Sequence, residues 1–368
     1  MKIDTTKLSK EEQVYLELVN LYEQFGYKSY HVQNFEEYSL YLDNKSFLST
    51  ENVLTFNDRN GKLLALKPDV TLSIVKNSKA GINANEKLYY RENVYRYDKT
   101  SHEYKEIQQI GLEVIGKIDL LSMLEVCSMA IAGFEVIDTD FILDLSHVGL
   151  ISSLLESSGI IESSVKADIL SCIRAKNTHD LKRFAEKVKI SENYINALCN
   201  IITLCGTGEA VLDKAIAIVK ELPNNQKMCC AISELREVYT VLSQNGYGEK
   251  ISIDFSMMND LDYYNGIIFQ GYVKRIPKPV LTGGRYDKLL EKFGKNAGAM
   301  GFAIYVSELA PYYTNTCNDY VDVLIIYSSS CDARIVYNKA MVYRNKGKKV
   351  LCETSIPVGL KYKSIITI

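Results

Sequence analysis

Between about residues 149 and 248, leucine, isoleucine, valine and alanine recur at spacings of three and four, the period of one helical face. No strand of comparable strength interrupts them. The stretches on either side are rich in strand patterns, so the block reads as a helical domain inserted into a β-rich layout. The flanks then form one domain over residues 1–310, with the insertion at about 149–248 and a separate short unit at 320–368.

The flank before the insertion opens with a helix. Ser9 and Glu12 have capping-box spacing, and Val14, Leu18, Leu21, Tyr22 and Phe25 lie on one face before Gly26. Residues 53–77 read as a strand, a turn at Asn60-Gly61, a second strand, and a helix after Pro68. "KLYYRENVYRYD" (87–98) and "EYKEIQQIGLEVIG" (103–116) read as two strands joined by a polar loop. A helix at about 119–134 and a strand, "FILDLS", lead into the helical block.

Beyond the block, strands return at 251–257, 266–273 and 297–306. After the linker "APYYTNTCNDY", a strand at 321–329, a helix around 331–346 and a strand, "KKVLCE", make a βαβ-like tail too small to hold a full core alone.

The 43 basic and 45 acidic residues nearly cancel, which removes any global attraction to nucleic acid. Nine cysteines form no C-x-x-C and only four histidines are present, so zinc has little support and the thiols read as reduced. His31, His102, His147 and His179 lie in unrelated contexts; His147 reads as a strand-end residue with a structural hydrogen bond, and Cys229-Cys230 as a buried pair. No signal-peptide pattern and no apolar run near the ~20 residues of a membrane helix is evident, so a cytoplasmic protein without cofactor or metal is expected.

Four stretches could carry chemistry. In "ALKPDVT", Asp69 and Thr71 follow a proline at a strand-to-helix junction, where a carboxylate and a hydroxyl could hold an ammonium group. Equally, Asp69 could serve as a first-turn acid satisfying helix amides. Arg96 lies on the strand before the polar loop, and Gln109, Gly111 and Glu113 share one face of the strand after it. Burying them without a ligand or each other would be costly; a salt-bridged surface face is the other reading. Tyr263 and Tyr264, in "NDLDYYNG", offer apolar walls with hydroxyl tips for a flat ring, or simply pack at a hairpin rim. Gly283-Gly284 marks a close backbone approach, or a plain strand-to-helix turn before a helix from about Arg285; it lacks the remainder of a phosphate-loop or dinucleotide motif.

Together, "LALKPDVT", "VYRYD…YKEIQQIGLEVIG", "LDYYNGIIF", "GGRYDKL" and "GAMGFAIYV" resemble, in order and spacing, the catalytic domain of class II histidyl-tRNA synthetases over roughly residues 5–310. The resemblance implies an α+β fold: an antiparallel sheet flanked by helices, with a helical insertion and a truncated C-terminal α/β unit similar to the start of an anticodon-binding domain. It also implies a histidine pocket made by Asp69, Thr71, Arg96, Gln109, Glu113, Tyr263 and Tyr264, with Gly283 and Gly284 as pocket backbone.

Adenylate formation in that family uses three fixed arginines to hold phosphate charge. Arg96 matches the first. The second position holds Asn259, and at the third the chain reads Tyr305-Val306-Ser307-Glu308. A pocket kept while cations are lost resembles the regulatory subunits of ATP phosphoribosyltransferase, histidyl-tRNA synthetase-like paralogues that are not catalytic. The resemblance implies L-histidine as effector, a short-form catalytic subunit as partner, feedback inhibition and activation in the first step of histidine biosynthesis, and a homodimer within a hetero-oligomer. An active truncated synthetase and a synthetase-like interaction scaffold are the alternatives.

Overall fold

The computed structural model describes residues 8–45, 47, 53–79, 81, 85–98, 101–159, 163–187, 190–258, 263–274, 276–309 and 320–368. Asn259 lies outside them, as does the linker from 310 to 319. The chain separates into two compact units, one spanning Glu11–Tyr312 and one built on the residues from Tyr313 onward.

The larger unit is organised by a nine-stranded sheet. Its strands run in the order Lys28–Ser29, Glu86–Asp98, Glu103–Gly116, Gly298–Tyr305, Leu281–Arg285, Ile267–Val273, Phe141–His147, Ile251–Asp254 and Cys205–Gly206. The five central pairings, from Glu86–Asp98 across to Phe141–His147, are antiparallel. Strands from both sides of the helical block therefore alternate in one sheet.

The two longest strands form the hairpin expected from their alternation, with Tyr90 opposite Gly111 and Leu88 opposite Glu113. Thr55–Asn57 and Leu63–Leu66 pair around the Asn60-Gly61 turn, where Gly61 takes the positive φ of 80° that favours glycine. The first helix, Lys10–Gln24, buries Val14, Leu18 and Tyr22, whereas Phe25 lies past its end and is exposed.

Leu120–Ile137 is the most apolar helix, with a mean hydropathy of 1.8 over 18 residues, which is long and apolar enough to cross a bilayer. Its Met123, Val126, Cys127, Ala130, Phe134 and Ile137 are instead buried in the core, and it packs on Gly298–Tyr305 and on the helix Gln226–Leu242.

Among the described residues the block holds six α-helices, Val148–Ser157, Ser163–Arg174, Thr178–Lys187, Glu192–Thr203, Glu209–Lys220 and Gln226–Leu242, and a π-helical turn at Ser243–Tyr247. The two-residue strand Cys205–Gly206 pairs with Ile253 and Asp254 and so ties the block to the sheet edge. His147 ends its strand as expected: Nδ1 accepts from Gly149 N at 3.0 Å, and Nε2 meets Glu234 Oε1 at 3.1 Å. The vicinal cysteines differ from expectation. Cys229 is half-buried and Cys230 exposed, because only every third or fourth residue of their helix faces inward, as Met228, Ala231 and Ile232 do.

In the smaller unit, Tyr320–Ile326, the helix Ala333–Arg344 and Val350–Glu353 give the expected βαβ pattern, and Lys361–Thr367 adds a third parallel strand on the other side of Tyr320–Ile326. Val323, Ile325, Val336 and Ala340 form its small core.

Candidate functional site

The antiparallel sheet carries a cavity of about 510 Å³ in the larger unit. Its wall includes every side chain that the sequence placed in a histidine pocket: Asp69, Thr71, Arg96, Gln109, Glu113, Tyr263 and Tyr264. Gln109 and Glu113 are 4% and 2% exposed, which rules out the reading of that strand face as a solvated salt-bridge surface.

Glu113 is the anchor. Its Oε1 accepts from Thr71 Oγ1 at 3.0 Å and its Oε2 accepts from the hydroxyl of Tyr286. Two glycines make this arrangement possible. A Cβ on Gly301 would lie 1.8 Å from Glu113 Oε2, and one on Gly111 would lie 2.5 Å from the Tyr90 hydroxyl. Burial pushes the Glu113 carboxyl up to about 8; the hydrogen bonds from Tyr286 and Thr71 oppose that and the Asp69 charge adds to it.

Asp69 serves as the first-turn acid and also faces the cavity. Oδ1 accepts from Leu72 N at 2.8 Å at the start of the helix Thr71–Asn77, while the carboxylate still lines the cavity. Burial raises its pKa even though 18% of the side chain reaches solvent, and Arg96 and the backbone amides pull the other way. Arg96 Nη2 stands 3.7 Å from Asp69 Oδ2, and its Nε donates to Pro68 O at 2.7 Å.

Tyr263 and Tyr264 pack edge-on at 4.6 Å between ring centroids, with Tyr286 5.5 Å and Phe47 6.0 Å from Tyr263. These rings make an apolar slot with hydroxyls at its base. Burial raises Tyr90, Tyr263, Tyr264 and Tyr286 above the ordinary tyrosine value, so all four stay neutral hydrogen-bonding groups.

Gly283 lines the cavity, and Gly284 does not. Both glycines sit inside the strand Leu281–Arg285, and the helix begins at Asp287 rather than about Arg285. The cause is a close backbone approach: a Cβ on Gly283 would lie 2.5 Å from Gly301 O, and one on Gly284 2.8 Å from both Ile267 O and the Tyr264 ring.

Sequence reasoning missed Tyr90, Thr282, Tyr286, Tyr305 and Arg174, which also line the wall. Thr282 and Tyr305 bond to each other at 2.7 Å. Tyr90 had a signal, a large residue directly opposite Gly111 in a hairpin. Arg174 had none. Glu308, where the synthetases carry an arginine, lies in the turn Val306–Leu309 outside the wall and pairs with Lys278.

Sheet, insertion and pocket define a protein of the class II aminoacyl-tRNA synthetase type. The family model for histidyl-tRNA synthetase matches residues 3–309. An ATP phosphoribosyltransferase regulatory subunit from Caldanaerobacter subterraneus is 33% identical over 339 residues, covering 90% of this chain and 86% of that protein. The chain belongs to the histidyl-tRNA synthetase-like family and, within it, to the ATP phosphoribosyltransferase regulatory subunits.

Solved structures agree on the fold. A regulatory subunit/histidyl-tRNA synthetase from Bacillus halodurans aligns with a TM-score of 0.80 at 23% identity, covering 97% of this chain and 93% of that one. A chain of an ATP phosphoribosyl transferase complex from Thermotoga maritima aligns with a TM-score of 0.62 at 19% identity, covering 80% and 96%.

Proposed function

We propose that this chain is the non-catalytic, histidine-sensing subunit of an ATP phosphoribosyltransferase. It would bind free L-histidine in the cavity around Glu113 and convey activation and feedback inhibition to a short-form catalytic subunit in the cytoplasm. The observation that carries the reading is a selective one. The side chains suited to an amino acid converge on one cavity, while two of the three positions that hold phosphate charge in the synthetases read Asn259 and Glu308.

Transfer of a nucleotidyl group needs fixed cations where negative charge develops, and loss of one such group costs on the order of 100-fold in rate. Recognition of histidine needs no such charge. Asp69 and Gln109 suit an ammonium group, and the tyrosine slot ending at Glu113 suits a ring with N–H donors. The effector's influence on a distant active site is then a coupling free energy, typically about 1–3 kcal/mol. The Thermotoga maritima structure is that of a complex, which supports assembly with a catalytic subunit. We further read the larger unit as a homodimer-forming domain and the tail unit as an anticodon-binding-like module without a nucleic-acid role.

Calorimetric titration of the purified chain with L-histidine is expected to give saturable binding near one site per chain. An assay of histidine-dependent pyrophosphate exchange into ATP is expected to stay at background. Absence of binding heat would favour the scaffold reading, and clear exchange would favour an active synthetase.

A further inference from the structure

Among the described residues, the inserted block contributes one side chain to the cavity. Arg174 ends the helix Ser163–Arg174, yet it lines the same wall as Asp69, Arg96 and Glu113. Its place is fixed on both sides. Just beyond it Lys176 adopts a φ of 51°, Lys176 N donates to Ile173 O at 2.9 Å and Asn177 N to Cys172 O at 2.8 Å, closing the helix with a left-handed residue. Lys176 Nζ then reaches Asp254 Oδ2 at 2.9 Å, on the sheet strand Ile251–Asp254. The helix end is thereby moored to the body of the larger unit.

Among the described residues of the wall, one cation stands without a carboxylate partner. Asp69 and Arg96 face each other. Glu113 is committed to Thr71 and Tyr286 at the buried end. Arg174 remains. Its Nε donates to Leu170 O in its own helix at 3.3 Å, and among the described residues no carboxylate pairs with it. Arg174 is exposed, whereas Glu113 is deeply buried. The cavity thus runs from a cation at its exposed side to a buried, hydrogen-bonded floor.

We propose that Arg174 is the anion-binding group of this cavity, taking the carboxylate of an amino-acid ligand whose ring enters the tyrosine slot, and that it couples the inserted helical block to occupancy. This rests on the reading of the cavity as a histidine site. A planar guanidinium meets a carboxylate through two parallel hydrogen bonds, which a lysine cannot reproduce. A ligand with the ring and amine but no carboxylate would fill the slot without engaging the insertion.

The test uses the full chain, with L-histidine and histamine as probes, in the wild type and in Arg174→Ala and Arg174→Lys. Arg174 is exposed at a helix end, so neither substitution should disturb folding. Calorimetry is expected to give the wild type a preference for histidine of about tenfold, the worth of one charge-assisted contact near solvent. Arg174→Ala should bring that preference close to unity by weakening histidine alone, and Arg174→Lys should keep part of it. Hydrogen exchange of residues 165–174 should slow with histidine and not with histamine. An unchanged preference in Arg174→Ala would overturn the proposal while leaving the histidine reading intact. If the wild type binds neither probe, both fail together.

Discussion

Glu113→Gln is expected to weaken histidine binding by roughly 10- to 100-fold, the range for a buried hydrogen bond to a charged group. The carboxyl sits at the floor with both oxygens engaged, by Thr71 and by Tyr286. A carboxyl there can give a proton to an imidazole ring or accept an N–H from it. The amide keeps the volume, but its NH2 end must face one of two hydroxyls that now donate to a carboxylate oxygen. Calorimetry with L-histidine reads the effect, and full affinity in the variant would remove Glu113 from the site.

The same substitution has a signature in the free protein. The folded state raises the Glu113 pKa from 4.5 to about 8, so it binds this proton more tightly than the unfolded chain does. Stability from this group is fully present below pH 4.5 and is lost as pH rises through about 8. Glu113→Gln does not titrate. Urea unfolding at pH 5 and pH 8.5 should therefore show the variant gaining on the wild type at the higher pH.

Lys67→Ala is expected to cost about 3–5 kcal/mol of folding stability, the usual effect of stripping one partner from a buried ion pair. Lys67 is fully buried, pairs with Glu92 and donates to Val32 O at 3.2 Å. Glu92 in turn accepts from Val32 N at 3.0 Å and meets His31 Nδ1 at 2.6 Å. The pair joins three segments that frame the cavity: residues 31–34, the loop leading into Asp69, and the strand that carries Arg96. Lys67 also bonds through its backbone to Asn34 and Tyr95. Replacing both partners, as Lys67→Met with Glu92→Leu, should recover most of the loss, because no uncompensated charge is then buried. If chemical denaturation shows Lys67→Ala within about 1 kcal/mol of wild type, the pair is not a structural tie.

Much of this was readable in the letters. Period-two alternation placed Gln109, Gly111 and Glu113 on one face, and the register of the hairpin bears that out. Helical spacing marked the insertion, and Asn60-Gly61 marked the small hairpin. What the sequence hid was contact between distant segments. Gly283-Gly284 left a close backbone approach and a turn both open, and only the structure shows it mid-strand where Gly301 and Phe302 come too close to Gly283 for a side chain. Lys67 and Glu92 look like surface residues until their burial is seen. Arg174 belongs to an unremarkable helical stretch, and only the path of the chain from Cys172 to Asn177 and the Lys176–Asp254 tie bring it to the cavity. Local periodicity reports which face a residue is on; it does not report what meets that face.

The central claim is tested most directly by mixing the purified chain with the short-form ATP phosphoribosyltransferase catalytic subunit and following phosphoribosyl transfer against L-histidine concentration. The account predicts that wild-type chain raises activity and that histidine suppresses it. Glu113→Gln chain should still raise activity, with the inhibition curve shifted by the 10- to 100-fold lost in binding. A mixture no more active than the catalytic subunit alone, or a Glu113→Gln complex inhibited at the wild-type histidine concentration, would contradict it.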